Sequence, residues 1–482
     1  MKTTRVDVAV IGAGTAGMAA FRAARSAGRH TVLIEAGEFG TTCARVGCMP
    51  SKLLIAAANG LHEARALAPR GIEGTHALEA NGAQVLDYVR RERDYFVASV
   101  LEETDAFAPE SVVRGRARFE PGTPAHHVLA IDDERRIEAR SVVIASGAVP
   151  AVPDAFRVFG ERLITSDDIF ELKTLPKRAA VFGAGPIGLE LGQAFARLGV
   201  KVFMFGQGGR IAGLSDTPVR DALVAALAGE FHFDPDAKIL DMSLRDGTPT
   251  IRFTSRDGRE RTEQFDTVLV ATGRAPALKP LQLANAGIAL NDKGVPRFDE
   301  TSMQCGDSSI FIAGDCDGTR PWLSDAADEG KLAGDNAARF PDVQHVKRKV
   351  PLSLVFCEPQ VLIAGASYDD LDKQMTVTGC ASFETQGRSR VMRQNRGLLH
   401  VYADAKTGRL RGAQACAPAA EHLGHLIAWA LQLELTVDET LRLPFYHPVV
   451  EEGLRTALKD ANRKCYEERA ETARALPDAA GC

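Results

Sequence analysis

An α/β chain with two βαβ units and a mixed α+β C-terminal part is what this sequence predicts, on three observations. Two apolar, β-rich runs each open into a GxGxxG loop and then a helical stretch, at Gly12, Gly14 and Gly17 and again at Gly183, Gly185 and Gly188. Three later runs, Ser141 to Gly147, Asp266 to Gly273 and Ile310 to Asp315, have the composition of buried strands returning to such units. Beyond Val350-Pro351 the patterning mixes strand and helix periods.

With 482 residues, 45% hydrophobic and 25% charged, the chain is long enough for about two to four domains, each with its own core. A net charge of −5 points away from nucleic acid and from anionic membranes as partners, and no apolar run approaches the length of a membrane span. The start, Met1-Lys2-Thr3-Thr4-Arg5, leads into a short strand and glycines rather than a signal-peptide core. Nine scattered cysteines make no disulfide framework, which fits a reducing, cytoplasmic setting where a lone cystine is catalytic.

In chain order, Val6 to Ile11 reads as a buried parallel strand, Met18 to Ala27 as a helix, and His30 to Ile34 as a second strand ending in Glu35. Strand, glycine turn, helix, strand and acid complete the Rossmann fingerprint: glycines let a pyrophosphate approach a helix N-terminus, and the carboxylate accepts from ribose hydroxyls. Next comes Cys43-Ala44-Arg45-Val46-Gly47-Cys48, with Met49-Pro50-Ser51-Lys52 at the expected start of a helix. Closing so short a ring adds little stability, so redox chemistry is the better reason for the pair. A helix N-terminus also favours a thiolate there. Half of a zinc or iron–sulfur site is the competing reading. A plant-type cluster needs a cysteine where Ser51 stands, however, and no second close pair exists, so no metal is expected.

The second unit runs from Arg178 to Phe205, and Gly206 holds the position where an acid usually meets a ribose. Arg210 is either a 2′-phosphate ligand or an ordinary exposed arginine, which leaves NAD against NADP open. Asp315 stands at the end of a strand, where open α/β sheets meet ligands.

Taken together, Gly12 to Gly17, Cys43 to Lys52, Gly183 to Glu190, Ala271 to Arg274, Gly314-Asp315 and His447-Pro448 resemble the class I pyridine nucleotide-disulfide oxidoreductases, to about residue 465. The resemblance implies FAD on the first loop, held by Gly12, Gly14, Gly17, Glu35, Lys52, Gly147 and Asp315. It implies NAD, with NADP open, on the second, held by Gly183, Gly185, Gly188 and Gly273, with Glu190 as the acidic partner of Lys52 beside the cofactors. Cys43 and Cys48 would form the redox disulfide, Cys48 as the flavin-side thiolate and Cys43 as the thiol that exchanges with substrate. Within Phe445-Tyr446-His447-Pro448-Val449-Val450-Glu451-Glu452 the family's pattern implies an acid–base pair, His447 oriented by Glu452, supplied by the other subunit of a homodimer. An imidazole suits proton transfer between thiols near neutral pH.

The implied order is an FAD domain at 1–155, an inserted NAD(P) domain at 156–276, a central segment completing the FAD site at 277–345, a dimerisation domain at 346–465 and a tail at 466–482. The implied activity is of the dihydrolipoyl dehydrogenase type, on a small-molecule or lipoyl-domain dithiol/disulfide. Competing readings are another low-molecular-weight disulfide reductase of the glutathione reductase kind, a quinone diaphorase, and a non-catalytic redox sensor. The tail shows a solitary Cys482 where mercuric reductases usually carry adjacent cysteines. Several positions depart from the family's pattern: Arg45 for Asn, Thr41 for Gly, Phe445 for a frequent His, Glu451 for Ser and Ser324 for His. Arg45 is expected to lower a thiol pKa or to hold an acidic substrate group. Trp429, in the amphipathic stretch Glu421 to Leu433, is expected either at an interface or in the core.

Overall fold

The computed structural model describes residues 2–123 and 126–475. The first apolar run forms β1 (Lys2–Ile11), whose Val8, Ala9 and Val10 are all buried, as a strand covered on both faces requires. Helix α1 (Thr15–Ser26) follows the glycine loop, and β2 (Thr31–Glu35) returns parallel to β1. The cysteine segment folds as a short helix, α2 (Thr42–Arg45), and a long one, α3 (Cys48–Arg65), with α4 (Gly82–Asp105) beside it. Then β3 (Val112–Arg114), β4 (Ala117–Thr123), β5 (His126–Ile131) and β6 (Arg135–Ile144) complete a sheet of order β3-β2-β1-β6-β5-β4.

After β7 (Ala148–Pro150) and β8 (Leu163–Ile164) comes the second βαβ unit: β9 (Arg178–Phe182), α5 (Pro186–Arg197), β10 (Lys201–Phe205), α6 (Thr217–Ala228) and β11 (His232–Asp234). An antiparallel ribbon of β12 (Lys238–Arg245), β13 (Thr248–Thr254) and β14 (Glu260–Gln264) precedes β15 (Thr267–Val270), giving a parallel sheet of order β11-β10-β9-β15-β8. The chain leaves this sheet through β16 (Arg274–Pro276), which pairs antiparallel with β7, so the entry and exit strands of the second unit lie side by side. Strand β17 (Ile310–Ile312) then joins the first sheet beside the last residues of β6. Helix α7 (Leu323–Arg339) lies on α1 so closely that a Cβ on Gly330 would stand 2.1 Å from the Ala16 carbonyl oxygen.

The last part is an antiparallel sheet of β18 (Leu352–Val355), β19 (Gln360–Gly365), β20 (Thr376–Ser382), β21 (Leu398–Asp404) and β22 (Leu410–Ala417), in the order β18-β19-β22-β21-β20. Between its strands is the short helix α8 (Gly387–Met392), and after them come α9 (Ala420–Gln432), α10 (Val437–Leu441) and α11 (Glu452–Ala475). Trp429 on α9 is 62% exposed, which sets aside its reading as core. Residues 476–482, with Cys482, lie outside the described residues. Among the described residues no helix is long and apolar enough to cross a membrane.

One packing relationship positions the chemistry. Leu54 and Ala58 on α3 share a buried cluster with Leu189 and Leu191 on α5 and with Val355 and Val361 of the last sheet. The helix that carries Cys48 is thereby clamped between the second nucleotide unit and the C-terminal domain. Truncating one of these leucines typically costs ~2–5 kcal/mol.

Candidate active site

The two glycine loops are built alike. A Cβ on Gly12 would stand 2.2 Å from the Ala145 carbonyl oxygen, and one on Gly17 1.8 Å from that of Gly12. The corresponding distances in the second loop are 2.2 Å from Gly183 to Ala271 and 1.9 Å from Gly188 to Gly183. Gly12 and Gly183 also sit at φ +104° and +112°, where other residues are strained. At Gly14 and Gly185 the reverse holds: nothing lies within 4 Å of a Cβ, and each is the N-cap of its helix with no side chain on the first-turn N–H groups. Open space before an uncapped helix N-terminus fits a pyrophosphate. Glu35 reaches the first loop, accepting at Oε2 from Ala13 N at 2.6 Å and at Oε1 from Gly37 N at 2.7 Å.

Gly147 and Gly273 lie just past the ends of β6 and β15, which border the two loops, and they serve the crossing between units: Ala277 N donates to Gly147 O at 2.9 Å and Ala151 N to Gly273 O at 3.0 Å. Asp315 begins a turn straight after β17. Burial raises its carboxyl pKa against the pull of Arg274.

Cys43 lies on α2 and Cys48 is the first residue of α3. The pair stands as two free thiols, Cys43 half-buried and Cys48 exposed. A hydrogen bond from Cys43 is the largest influence lowering Cys48, to about 6, with Lys52 adding to it and burial opposing. That same bond, with burial, pushes Cys43 far up, so it keeps its proton. The two sulfurs therefore differ in kind: a ready thiolate at the head of α3 and a thiol one turn away.

Around them, Thr41 caps α2 by accepting from Ala44 N at 3.2 Å, at φ +58°. A β-branched residue in that region stores ~1–3 kcal/mol of strain, which the cap offsets by ~1 kcal/mol. Arg45 does not turn toward a substrate. Its Nε donates to Phe39 O and its guanidinium pairs with Glu38 at 2.9 Å, so the charge folds back on the preceding turn, and the cation lowering Cys48 is Lys52.

Lys52 and Glu190 meet, as the sequence motif requires of partners on α3 and α5, at 2.8 Å. Glu190 is buried, and its Oε1 accepts from Phe356 N at 2.9 Å while the Lys52 ammonium lies 4.7 Å from the Phe356 ring centroid. His447 and Glu452 also meet: Nδ1 stands 3.0 Å from both carboxylate oxygens. The hydrogen bond from His447 holds the Glu452 carboxyl below its ordinary range. His447 is 81% exposed, and no hydrogen bond joins it to either cysteine of its own chain among the described residues. Beside it an apolar surface cavity of about 400 Å³ is lined by Trp429, Leu433, Phe445, Tyr446 and Val449.

Two functional-looking groups escaped the sequence reading. Glu329 on α7 accepts from Gly314 N at 2.7 Å, fixing the backbone just before Asp315, and it is ion-paired with Arg348. Burial and then Asp317 raise its carboxyl pKa to about 7. No local spacing marks Glu329, since Asp325, Asp328 and Asp335 stand on the same helix. Asp167 pairs with Arg274 at 2.9 Å, a contact with no sequence signal.

These features define a dinucleotide-dependent redox protein with a thiol pair. The chain belongs to the class I pyridine nucleotide-disulfide oxidoreductase family: residues 6–330 match the pyridine nucleotide-disulphide oxidoreductase model, and 352–458 match that family's dimerisation domain. Members are FAD-dependent and bind NAD(P). A mercuric reductase of Shigella flexneri is 32% identical over 473 residues, covering 95% of this chain and 81% of its own. A dihydrolipoyl dehydrogenase of Haloferax volcanii is 30% identical over 466 residues, covering 95% and 96%. LpdA from Mycobacterium tuberculosis has the same fold, with a TM-score of 0.79 at 24% identity over 95% of this chain and 99% of that one. The HOCl-induced flavoprotein disulfide reductase RclA from Escherichia coli also shares it, with a TM-score of 0.77 at 22% identity over 94% and 99%.

Proposed function

We propose that this protein moves electron pairs between a nicotinamide dinucleotide and a dithiol/disulfide substrate, as an enzyme of the dihydrolipoyl dehydrogenase type. The observation that carries this reading is the His447–Glu452 pair taken with an unequal thiol pair. Thiol–disulfide exchange needs a group that moves protons between sulfurs, whereas reducing a metal ion or a quinone does not.

FAD fits the first loop, with Gly14 leaving room for its pyrophosphate, Glu35 for the adenosine ribose, Asp315 for the ribityl chain, and Lys52 held by Glu190 near the ring. The nicotinamide dinucleotide fits the second loop in the same way at Gly185. Bound flavin supplies the two-electron carrier between nicotinamide and cystine. In the direction of disulfide reduction, the imidazole of His447 from the other subunit takes the Cys43 proton, and Cys43 attacks one substrate sulfur. The first substrate thiolate leaves and is protonated by that imidazole. Cys48, already a thiolate, then attacks Cys43, closing the Cys43–Cys48 bond, and the second substrate thiolate departs to take a proton from solvent. Glu452 holds the imidazole and steadies its charge. The exposure of His447 and the apolar cavity beside it support a homodimer in which each subunit completes the other's site.

The test is an anaerobic assay of the purified holoenzyme with NADH or NADPH against lipoamide, glutathione disulfide, a quinone and mercuric ion. Selective lipoamide turnover that disappears in Cys43→Ser and in His447→Gln, while dye reduction persists, is expected. Turnover of glutathione disulfide or mercuric ion with none of lipoamide overturns the assignment.

A further inference from the structure

We propose that Asp236 makes the second dinucleotide site select NAD(H) over NADP(H), by placing at the adenosine ribose the carboxylate that packing excludes from position 206. This rests on the reading above that the second loop holds the nicotinamide dinucleotide.

Strands β10 and β11 end side by side. Their last residues, Phe205 and Asp234, are register partners. Past them the two exits stay zipped together: Gly206 N donates to Asp234 O at 2.7 Å, Ala237 N to Gly206 O at 3.2 Å, and Gly209 N to Pro235 O at 3.2 Å. A Cβ on Gly206 would stand 2.4 Å from the Pro235 carbonyl oxygen and 2.9 Å from its Cα. Both are backbone atoms that cannot swing away. The missing acid is thus a consequence of how β11 leaves the sheet, and it says nothing of a preference for a 2′-phosphate.

A carboxylate nevertheless comes to this loop, from the segment that leaves β11. Oδ1 of Asp236 accepts from Gly208 N at 2.7 Å, two residues beyond the empty position. The first site offers a direct parallel, since Glu35 is likewise held by backbone N–H groups of its own loop. A carboxylate anchored this way suits ribose hydroxyl donors and repels a 2′-phosphate. Asp236 N in turn donates to the buried Asp234 carboxylate at 3.1 Å, so two acids stand on this side of the loop. The nearby cations, Arg210 and Lys238, are exposed at the surface.

The experiment is calorimetric binding of NAD⁺ and NADP⁺ to the oxidised holoenzyme, where no turnover occurs, for the natural chain and for Asp236→Asn, Asp236→Arg and Arg210→Ala. The natural chain is expected to bind NAD⁺ at least about tenfold more tightly, because the carboxylate serves one ligand and repels the other. Asp236→Asn is expected to narrow that ratio, Asp236→Arg to invert it, and Arg210→Ala to leave it unchanged. Asp236 is exposed, so its variants keep the fold, which thermal melting verifies. Tighter NADP⁺ binding by the natural chain, a ratio unmoved by Asp236→Asn, or a loss of NADP⁺ affinity confined to Arg210→Ala overturns the proposal. If neither dinucleotide binds the natural chain, the reading of the second loop fails as well.

Discussion

Replacing Cys43 with alanine removes the group that does most to hold Cys48 as a thiolate. An ordinary thiol titrates at 9.0, and Cys48 is lowered to about 6. At pH 7 this changes the thiolate-to-thiol ratio from about 1:100 to about 10:1. The Cys43 hydrogen bond is the leading cause, Lys52 assists, and burial opposes both. Without the bond, burial and the Glu190 charge act against Lys52 and one backbone hydrogen bond, and the Cys48 titration is expected to climb by at least about one pH unit. Lys52→Met is expected to move it less, because that side chain is 36% exposed and water screens its charge. Cys43→Ser keeps a hydroxyl donor and is expected to fall between alanine and the natural chain. The assay is the pH dependence of iodoacetamide alkylation of the reduced protein in a Cys482→Ser background, with the label located by mass spectrometry. Burial pushes Cys305, Cys316 and Cys416 up to about 12, so they stay silent near neutrality. Titration of Cys48 still centred near 6 in Cys43→Ala would refute the coupling.

Three further outcomes are expected. Gly14→Val adds a Cβ with nothing within 4 Å, on the side open to the cofactor, so the flavin-free protein should melt as before while flavin retention is lost. Gly17→Ala, 1.8 Å from a carbonyl oxygen, should lose both, and a flavin-replete Gly14→Val protein contradicts the cradle. On two-electron reduction, the long-wavelength absorption of a thiolate beside flavin should vanish in Cys48→Ser and survive in Cys43→Ser; the opposite pattern reverses the sulfur order. Glu329 is raised from 4.5 to about 7, so the folded protein holds a proton that the unfolded chain has released. The stability this contributes is present below pH 4.5 and is lost as pH rises to about 7. Glu329→Gln should flatten denaturant stability across that window, and an unchanged slope would show that another group is responsible.

The parts legible in the sequence were those whose chemistry constrains neighbours along the chain. Two glycine loops announced two βαβ units because close backbone approach admits no other residue at Gly12, Gly17, Gly183 or Gly188, and each is found hard against a carbonyl oxygen. The pairs Lys52–Glu190 and His447–Glu452 were named from motif and found in contact. What stayed hidden depends on contacts across the fold. Arg45 looked like a charge available to the thiols until Glu38 and Phe39 claimed it. Gly206 looked like a cofactor signal, yet its cause is the Pro235 carbonyl twenty-nine residues away. Glu329 sits under Gly314 because small residues on α7 let that helix close on α1, a tertiary fact that no local spacing encodes.

In the proposed reaction, flavin and one cystine act as a single electron-pair relay. Anaerobic dithionite titration of the oxidised holoenzyme tests it most directly, with thiols counted before and after. The prediction is uptake of about twice the reductant a lone flavin takes, with new thiols appearing at Cys43 and Cys48. An end point at one electron pair per flavin, with no thiol gained, would contradict it.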